Sequence, residues 1–312
     1  MRAVVVEDGA PARLKIGEVG EPEPAPSEAL VRVSAVSLNR GEVRRSQAAQ
    51  PGFRPGWDLA GTVERAAADG TGPQAGSRVV GLVASGAWAE RVAAPVDALA
   101  ELPEGVSFEA AATLPVAGLT ALYALEKGVG LLGRNVLVTG ASGGVGLFAL
   151  GLASLGGARP VALVRREEHV RLVREAGAAE VAVGEGANAA RGHGPFDLIL
   201  DSLGGGPLGE AMGMISPRGT CVAFGPTAGA ETTFDVSAFY LSGGASLYGF
   251  ILFHEVLGKP ASDGLSRLAR LVAEGRLETR VAVQEPWEEV GAVAKRLLDR
   301  GYAGKAVLWL EG

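Results

Sequence analysis

Cysteine, histidine and surplus positive charge are all scarce in this chain. One cysteine, Cys221, and three histidines, His169, His193 and His254, occur among 312 residues. A lone cysteine closes no internal disulfide, which fits a reducing compartment. Catalytic zinc needs three converging His, Cys or carboxylate donors, and histidines scattered from 169 to 254 supply no such spacing; no metal is expected. Basic residues number 29 against 35 acidic ones, a net charge of −6, which argues against electrostatic binding to nucleic acid or an anionic membrane. The most apolar stretch, GLFALGLASLGGA, is broken by glycine and too short to span a bilayer. The opening MRAVVVEDGAPARL lacks the apolar core of a secretory signal. A cytoplasmic protein that avoids membranes and nucleic acid is the expectation.

What is present is a globular balance, 47% hydrophobic and 21% charged, in a length that suits two domains. Before residue 107 the chain reads as short strands: RAVVVE, ALVRVSAVSLN, DLAGTVERAA, SRVVGLV and AWAERVAAP, separated by Pro-, Gly- and Asp-rich connections. EPEPAPSEA is a proline-stiffened loop, and no helix of ordinary length is evident there, so a β-barrel-type domain is expected. After SFEAAATLPVAGLTALYALEKG, a helix broken at Pro115, apolar strands alternate with helices from Asn135 to the ASLYGF segment. That alternation predicts an α/β domain with a doubly wound parallel sheet covered on both faces. The closing strand KAVLWL has no place in that sheet and is expected to return to the first domain.

Residues 138–150, VTGASGGVGLFAL, join a strand to an apolar helix through a glycine-rich turn. Glycines let the backbone approach a pyrophosphate, and a helix N-terminus offers free N–H groups and positive potential. An NAD-preferring site would carry Asp or Glu at the end of the second strand, about 20 residues on. Here Val164 is followed by Arg165 and Arg166, two guanidiniums suited to a 2′-phosphate, so NADPH is the expected cofactor. The competing reading pairs them with Glu167 and Glu168.

Thr139–Gly146 also fits the turn of the short-chain dehydrogenases, and Tyr123 and Lys127 have the spacing of that family's catalytic pair. In that family, however, the turn opens the chain and the pair follows it. Tyr123 is therefore read as a core or boundary residue.

The whole pattern resembles the zinc-independent branch of the medium-chain dehydrogenase/reductase superfamily, the quinone oxidoreductases related to zeta-crystallin. The resemblance is carried by AVSLNRGEVRR, RPGWDLAGTVE, GSRVVGLV, GAWAERVAAP, AATLPVAGLTALYAL, VLVTGASGGVG, DLILDSLGG and GYAGKAVL. It implies a GroES-like domain of residues 1–114 and 258–312 and a Rossmann domain of 115–257. It also implies a homodimer formed through the Rossmann edge strand around Ala245–Phe250. Where zinc relatives carry ligands, this chain has Ser37, Asn39 and Gly56-Trp57-Asp58.

By resemblance, Asn39 lies near the nicotinamide, Thr120 near its ribose, and Ser142, Gly143, Gly144 and Val145 line the pyrophosphate. Phe224, Gly225, Phe250 and Ile251 flank the nicotinamide half, and Lys305 reaches the cofactor from the chain's return, unless it is a plain surface lysine. Two departures stand out. Arg44 occupies the place of a cleft tyrosine, and His169 that of a phosphate-binding lysine. The implied chemistry is metal-free hydride transfer to a quinone or small α,β-unsaturated carbonyl in a dry cleft. Arg44 or Arg40 would steady the developing oxyanion, or stand as solvated charges. An enoyl-thioester reductase, and an NADPH-binding regulatory or nucleic-acid-binding protein with little turnover, are the alternatives.

Overall fold

The computed structural model describes residues 1–128 and 130–310. The chain forms two compact units, Met1–Leu119 joined by the stretch from Val256 onward, and Thr120–Glu255. The first crossing falls five residues later than expected, with the turn Leu114–Gly118 inside the first unit, and the second falls two residues earlier.

In the first unit, the eleven-residue strand Glu28–Leu38 is the spine of a seven-stranded sheet. Its alternating burial turns Ala29, Val31 and Val33 into the core. Asp58–Arg65 pairs antiparallel along one side. On the other side, Arg91–Pro95 covers the start of the spine and Lys305–Trp309 covers its end, with Ala306 opposite Leu38. The closing strand thus returns to the first domain as expected. Trp88 and Trp287, each 1% exposed, anchor the core beneath.

Two elements differ from the sequence reading. Leu14–Glu18 pairs with Arg2–Val6 in a separate two-stranded sheet. Arg40–Ala48 is a nine-residue helix where none was expected. Its start signal was in the sequence: Asn39 followed three residues later by Glu42, the pattern of a capping box.

The second unit holds six strands in the spatial order Glu180–Val183, Arg159–Val164, Asn135–Val138, Phe196–Asp201, Ile215–Ala223, Ser246–Gly249. All five pairings are parallel. In chain order this is 3-2-1-4-5-6, the doubly wound Rossmann arrangement. The central strands read as Val, Leu and Ile because helices cover both faces; Val136, Leu137, Leu198 and Ile199 are at most 1% exposed. Tyr123 lies in the Leu119–Leu125 helix and is 2% exposed, a core residue. Lys127 faces away into a different group, with Nζ 2.7 Å from Glu255 and 4.5 Å from the centre of the Tyr248 ring. No helix among the described residues is long and apolar enough to cross a membrane.

Candidate active site

The chemistry of the first unit gathers where the spine strand ends. Asn39 stops it in an extended conformation and caps the helix Arg40–Ala48. Glu42 reaches back, its Oε1 accepting the Asn39 backbone N–H at 2.6 Å and Nδ2 at 3.0 Å. Asp58 comes from the adjacent strand. Gly56, at φ +108, lets the chain pass so close to Trp88 that a Cβ would sit 2.5 Å from its backbone nitrogen, and this delivers Asp58 beneath Asn39.

Asp58 is fully committed. Its Oδ1 accepts Val116 N–H at 3.0 Å. Its Oδ2 accepts Ser37 Oγ at 2.6 Å, Asn39 Nδ2 at 2.7 Å and Lys305 Nζ at 3.4 Å. Lys305 also donates to Leu38 O at 3.0 Å and Asn39 Oδ1 at 2.5 Å. Its side chain is 4% exposed, so it is not a surface lysine. Pairing of the last strand with the spine holds it behind Asn39 instead. Burial, then the Asp58 charge, pushes the Glu42 carboxyl well above its ordinary value.

The arginines divide. Arg40 donates to Leu297 O and Leu298 O, both at 3.2 Å, capping the helix Val290–Leu298. These bonds hold its guanidinium at that helix end. Arg44 is exposed on the helix surface.

In the second unit the glycine turn is built as the sequence suggested. Thr139 Oγ1 donates to Asp201 Oδ1 at 2.8 Å and accepts the Ser202 N–H at 3.0 Å, tying the turn to the next strand. Asp201 is buried, which raises its pKa, while the Gly204 N–H at 2.8 Å works against that rise. Gly140 has φ +59, and a Cβ there would meet Ser202 Oγ at 2.4 Å. Gly146 packs so tightly that a Cβ would lie 2.6 Å from the Ala141 backbone. Gly143 is exposed and caps the helix Gly144–Leu155 without a side-chain partner. Ser142, Gly144 and Val145 are half-buried beside it. The first N–H groups of such a helix have no intrahelical acceptor, so this is a cradle of the kind that takes a pyrophosphate.

At the end of the second strand, Arg165 and Arg166 are both exposed. Arg166 pairs with Glu168 at 3.1 Å, while Arg165 makes no ion pair among the described residues. Burial, ahead of the two arginine charges, holds the His169 imidazole below its ordinary pKa, so it offers little fixed charge. Phe224 follows the fifth strand and packs edge-to-face on Phe250, centroids 6.4 Å apart. Phe250 is 4% exposed, Gly225 half-buried and Ile251 exposed. Thr120 is buried at the head of the Leu119–Leu125 helix.

Two family models match the chain, an alcohol dehydrogenase GroES-like domain over residues 25–104 and a zinc-binding dehydrogenase over residues 144–268. The quinone oxidoreductase of Pseudomonas aeruginosa is 32% identical over 252 residues, 77% of this chain and 77% of that protein. The chain belongs to the quinone oxidoreductase family of medium-chain dehydrogenases/reductases. Among solved members of this fold, Escherichia coli quinone oxidoreductase complexed with NADPH superposes with a TM-score of 0.88 at 25% identity, covering 99% of this chain and 100% of that one. A mycobacterial protein complexed with NADPH matches with the same score at 28% identity and the same coverage. The acryloyl-coenzyme A reductase of Sulfurisphaera tokodaii is a further relative, 23% identical over 99% of both chains.

The zinc named in one domain description does not fit the residues of this quinone oxidoreductase chain. Ser37, Asn39 and Trp57 are poor zinc ligands, and both Asp58 oxygens are taken, one of them by an ammonium. Among the described residues no three His, Cys, Asp or Glu side chains form a group able to hold a metal. Cys221 lies 0% exposed in the core of the other unit.

What sequence reasoning missed in this site is Glu42 and Asp58. Asp58 opens the apolar run DLAG, and an acidic residue in a core position is a signal of a partnered charge.

Proposed function

We propose that the protein is an NADPH-dependent oxidoreductase that transfers a hydride directly, without metal, to a quinone or small α,β-unsaturated carbonyl. The observation that carries this reading is the Asn39 cluster: buried Ser37, Asp58 and Lys305 and half-buried Asn39 hydrogen-bond one another where a metal-dependent relative would need free donor atoms. NADPH, once bound, supplies the hydride. Gly143, Gly144 and Val145 hold the pyrophosphate by their backbone N–H groups, with Ser142 beside them, and Arg165 meets the 2′-phosphate, Arg166 adding to the local charge. Asn39 orients the nicotinamide end, and Thr120, Phe224, Gly225, Phe250 and Ile251 shape its surroundings. Catalysis then rests on proximity and exclusion of water. Arg44 is the remaining cation for a developing oxyanion.

The test is NADPH oxidation by the purified protein against simple quinones, small enones and enoyl-coenzyme A esters, with NADH alongside. Turnover with quinones or enones and a preference for NADPH is expected. Turnover confined to the thioesters would replace the reading with an enoyl-thioester reductase, which the acryloyl-coenzyme A reductase relative favours. Stoichiometric zinc would end the metal-free reading.

We further assign a homodimer. The edge strand Ser246–Gly249 is exposed at all four residues. Near it in the chain, Tyr240 is 64% and Leu241 75% exposed. An uncovered edge with apolar side chains favours pairing with a second copy.

A further inference from the structure

Glu42 has one oxygen in use and one bare. Oε1 accepts two N–H groups of Asn39. Oε2 is buried and has no hydrogen-bond partner among the described residues. Around it stand Asp58 and Lys305, 0% and 4% exposed, so the cluster contains two carboxyl groups and one ammonium. Lys305 directs its hydrogen bonds to Leu38 O, Asn39 Oδ1 and Asp58 Oδ2. A bare anionic oxygen at this depth is far costlier than a bare hydroxyl.

We propose that Glu42 stands in the folded enzyme as a neutral carboxylic acid and is the positioning residue that orients the Asn39 amide. Oε1 already takes two donors, so the proton sits on Oε2, and Asp58 and Lys305 remain as a balanced pair. Burial first and the Asp58 charge second favour the protonated form, and Lys305 and the Asn39 hydrogen bonds only partly oppose them.

The arrangement fixes the amide in one sense. Both Nδ2 hydrogens are taken, by Glu42 Oε1 and Asp58 Oδ2, while Oδ1 receives Lys305. A flipped amide would set its oxygen against two carboxyl groups and its N–H groups against an ammonium. Neither amide hydrogen remains for a ligand. Asn39 therefore does not donate a hydrogen bond to the nicotinamide end. This consequence rests on the functional reading above; the protonation state does not.

A carboxyl whose folded pKa exceeds its unfolded one binds more protons in the native state between those two values. Wild-type stability therefore falls as pH rises through that window, which opens near the ordinary value of 4.5. Glu42→Gln keeps the neutral shape and lacks that slope. In melts of the full chain from about pH 5 to pH 8, the Tm of Glu42→Gln relative to wild type is expected to climb by about 2 °C or more. A difference that is flat or falls with pH overturns the proposal. So does a Glu42→Gln chain that fails to fold, because an amide closely imitates the neutral acid.

The positioning role has its own readout. Glu42→Ala is expected to raise KM for NADPH by roughly tenfold, with kcat altered by less than about threefold, and Glu42→Gln to recover most of that loss. Equal losses in the two variants overturn the role. A wild type that never oxidises NADPH defeats the functional reading instead, and the melts still decide the protonation state.

Discussion

Lys305 and Asn39, 266 positions apart in the chain, meet ammonium to amide oxygen at 2.5 Å. The contact exists because the last strand runs antiparallel to the end of the spine strand, with Ala306 opposite Leu38. It makes the charge at residue 305 a part of the geometry at residue 39.

Removing that charge leaves Asp58 buried without its cation. Lys305→Met is expected to cost about 3–5 kcal/mol of folding free energy, read by urea denaturation, and to raise KM for NADPH. A loss within the ordinary surface range would show that the pair does not hold the cluster.

The two glycines at either end of the cradle should separate binding from stability. Gly146→Ala drives a Cβ to 2.6 Å from backbone atoms of Ala141 and is expected to cost about 1–3 kcal/mol. Gly143→Ala meets only Gly140 O, at 3.3 Å, and should lose less than about 1 kcal/mol. Its penalty should fall on the cofactor, as a roughly tenfold rise in KM for NADPH. Melting curves set beside cofactor titrations check both.

The phosphate assignment predicts an inequality. Arg165→Ala together with Arg166→Ala should raise KM for NADPH much more than KM for NADH, and Arg165→Ala alone should account for most of it. Arg166 is already engaged by Glu168 at 3.1 Å. Equal effects on the two cofactors would sink the assignment.

Dimer formation is open to a single surface change. Leu247 is 43% exposed on the edge strand, so Leu247→Lys should fold normally and elute as a monomer by size-exclusion chromatography with light scattering. An unchanged mass would place the interface elsewhere or remove it.

The second unit was legible because its signals are local. Buried parallel strands read as apolar runs, and the glycine turn announces itself within a dozen residues, so the alternation of strands and helices from Asn135 to Gly249 was visible before the fold. The first unit's site was not. Ser37, Asn39 and Glu42 lie close in sequence, but Asp58 and Lys305 join them only through strand pairing on both sides of the spine. Nothing local marks Lys305 as buried, since a lysine opening an apolar strand is as often solvated. The short helix after Asn39 was hidden by its three arginines, which mask its apolar face, although Asn39 and Glu42 already spelled its cap.

The closing strand also imposes an order in time. A ribosome makes Asn39 early and Lys305–Trp309 among the last residues of this sequence, so the Thr120–Glu255 stretch is synthesised in full before the Asn39 amide can be locked. A nascent or truncated chain that stops short of residue 305 carries a complete nucleotide cradle and an Asn39 amide that lacks its cation. During synthesis, the glycine turn is complete before the cluster around Asn39 can close.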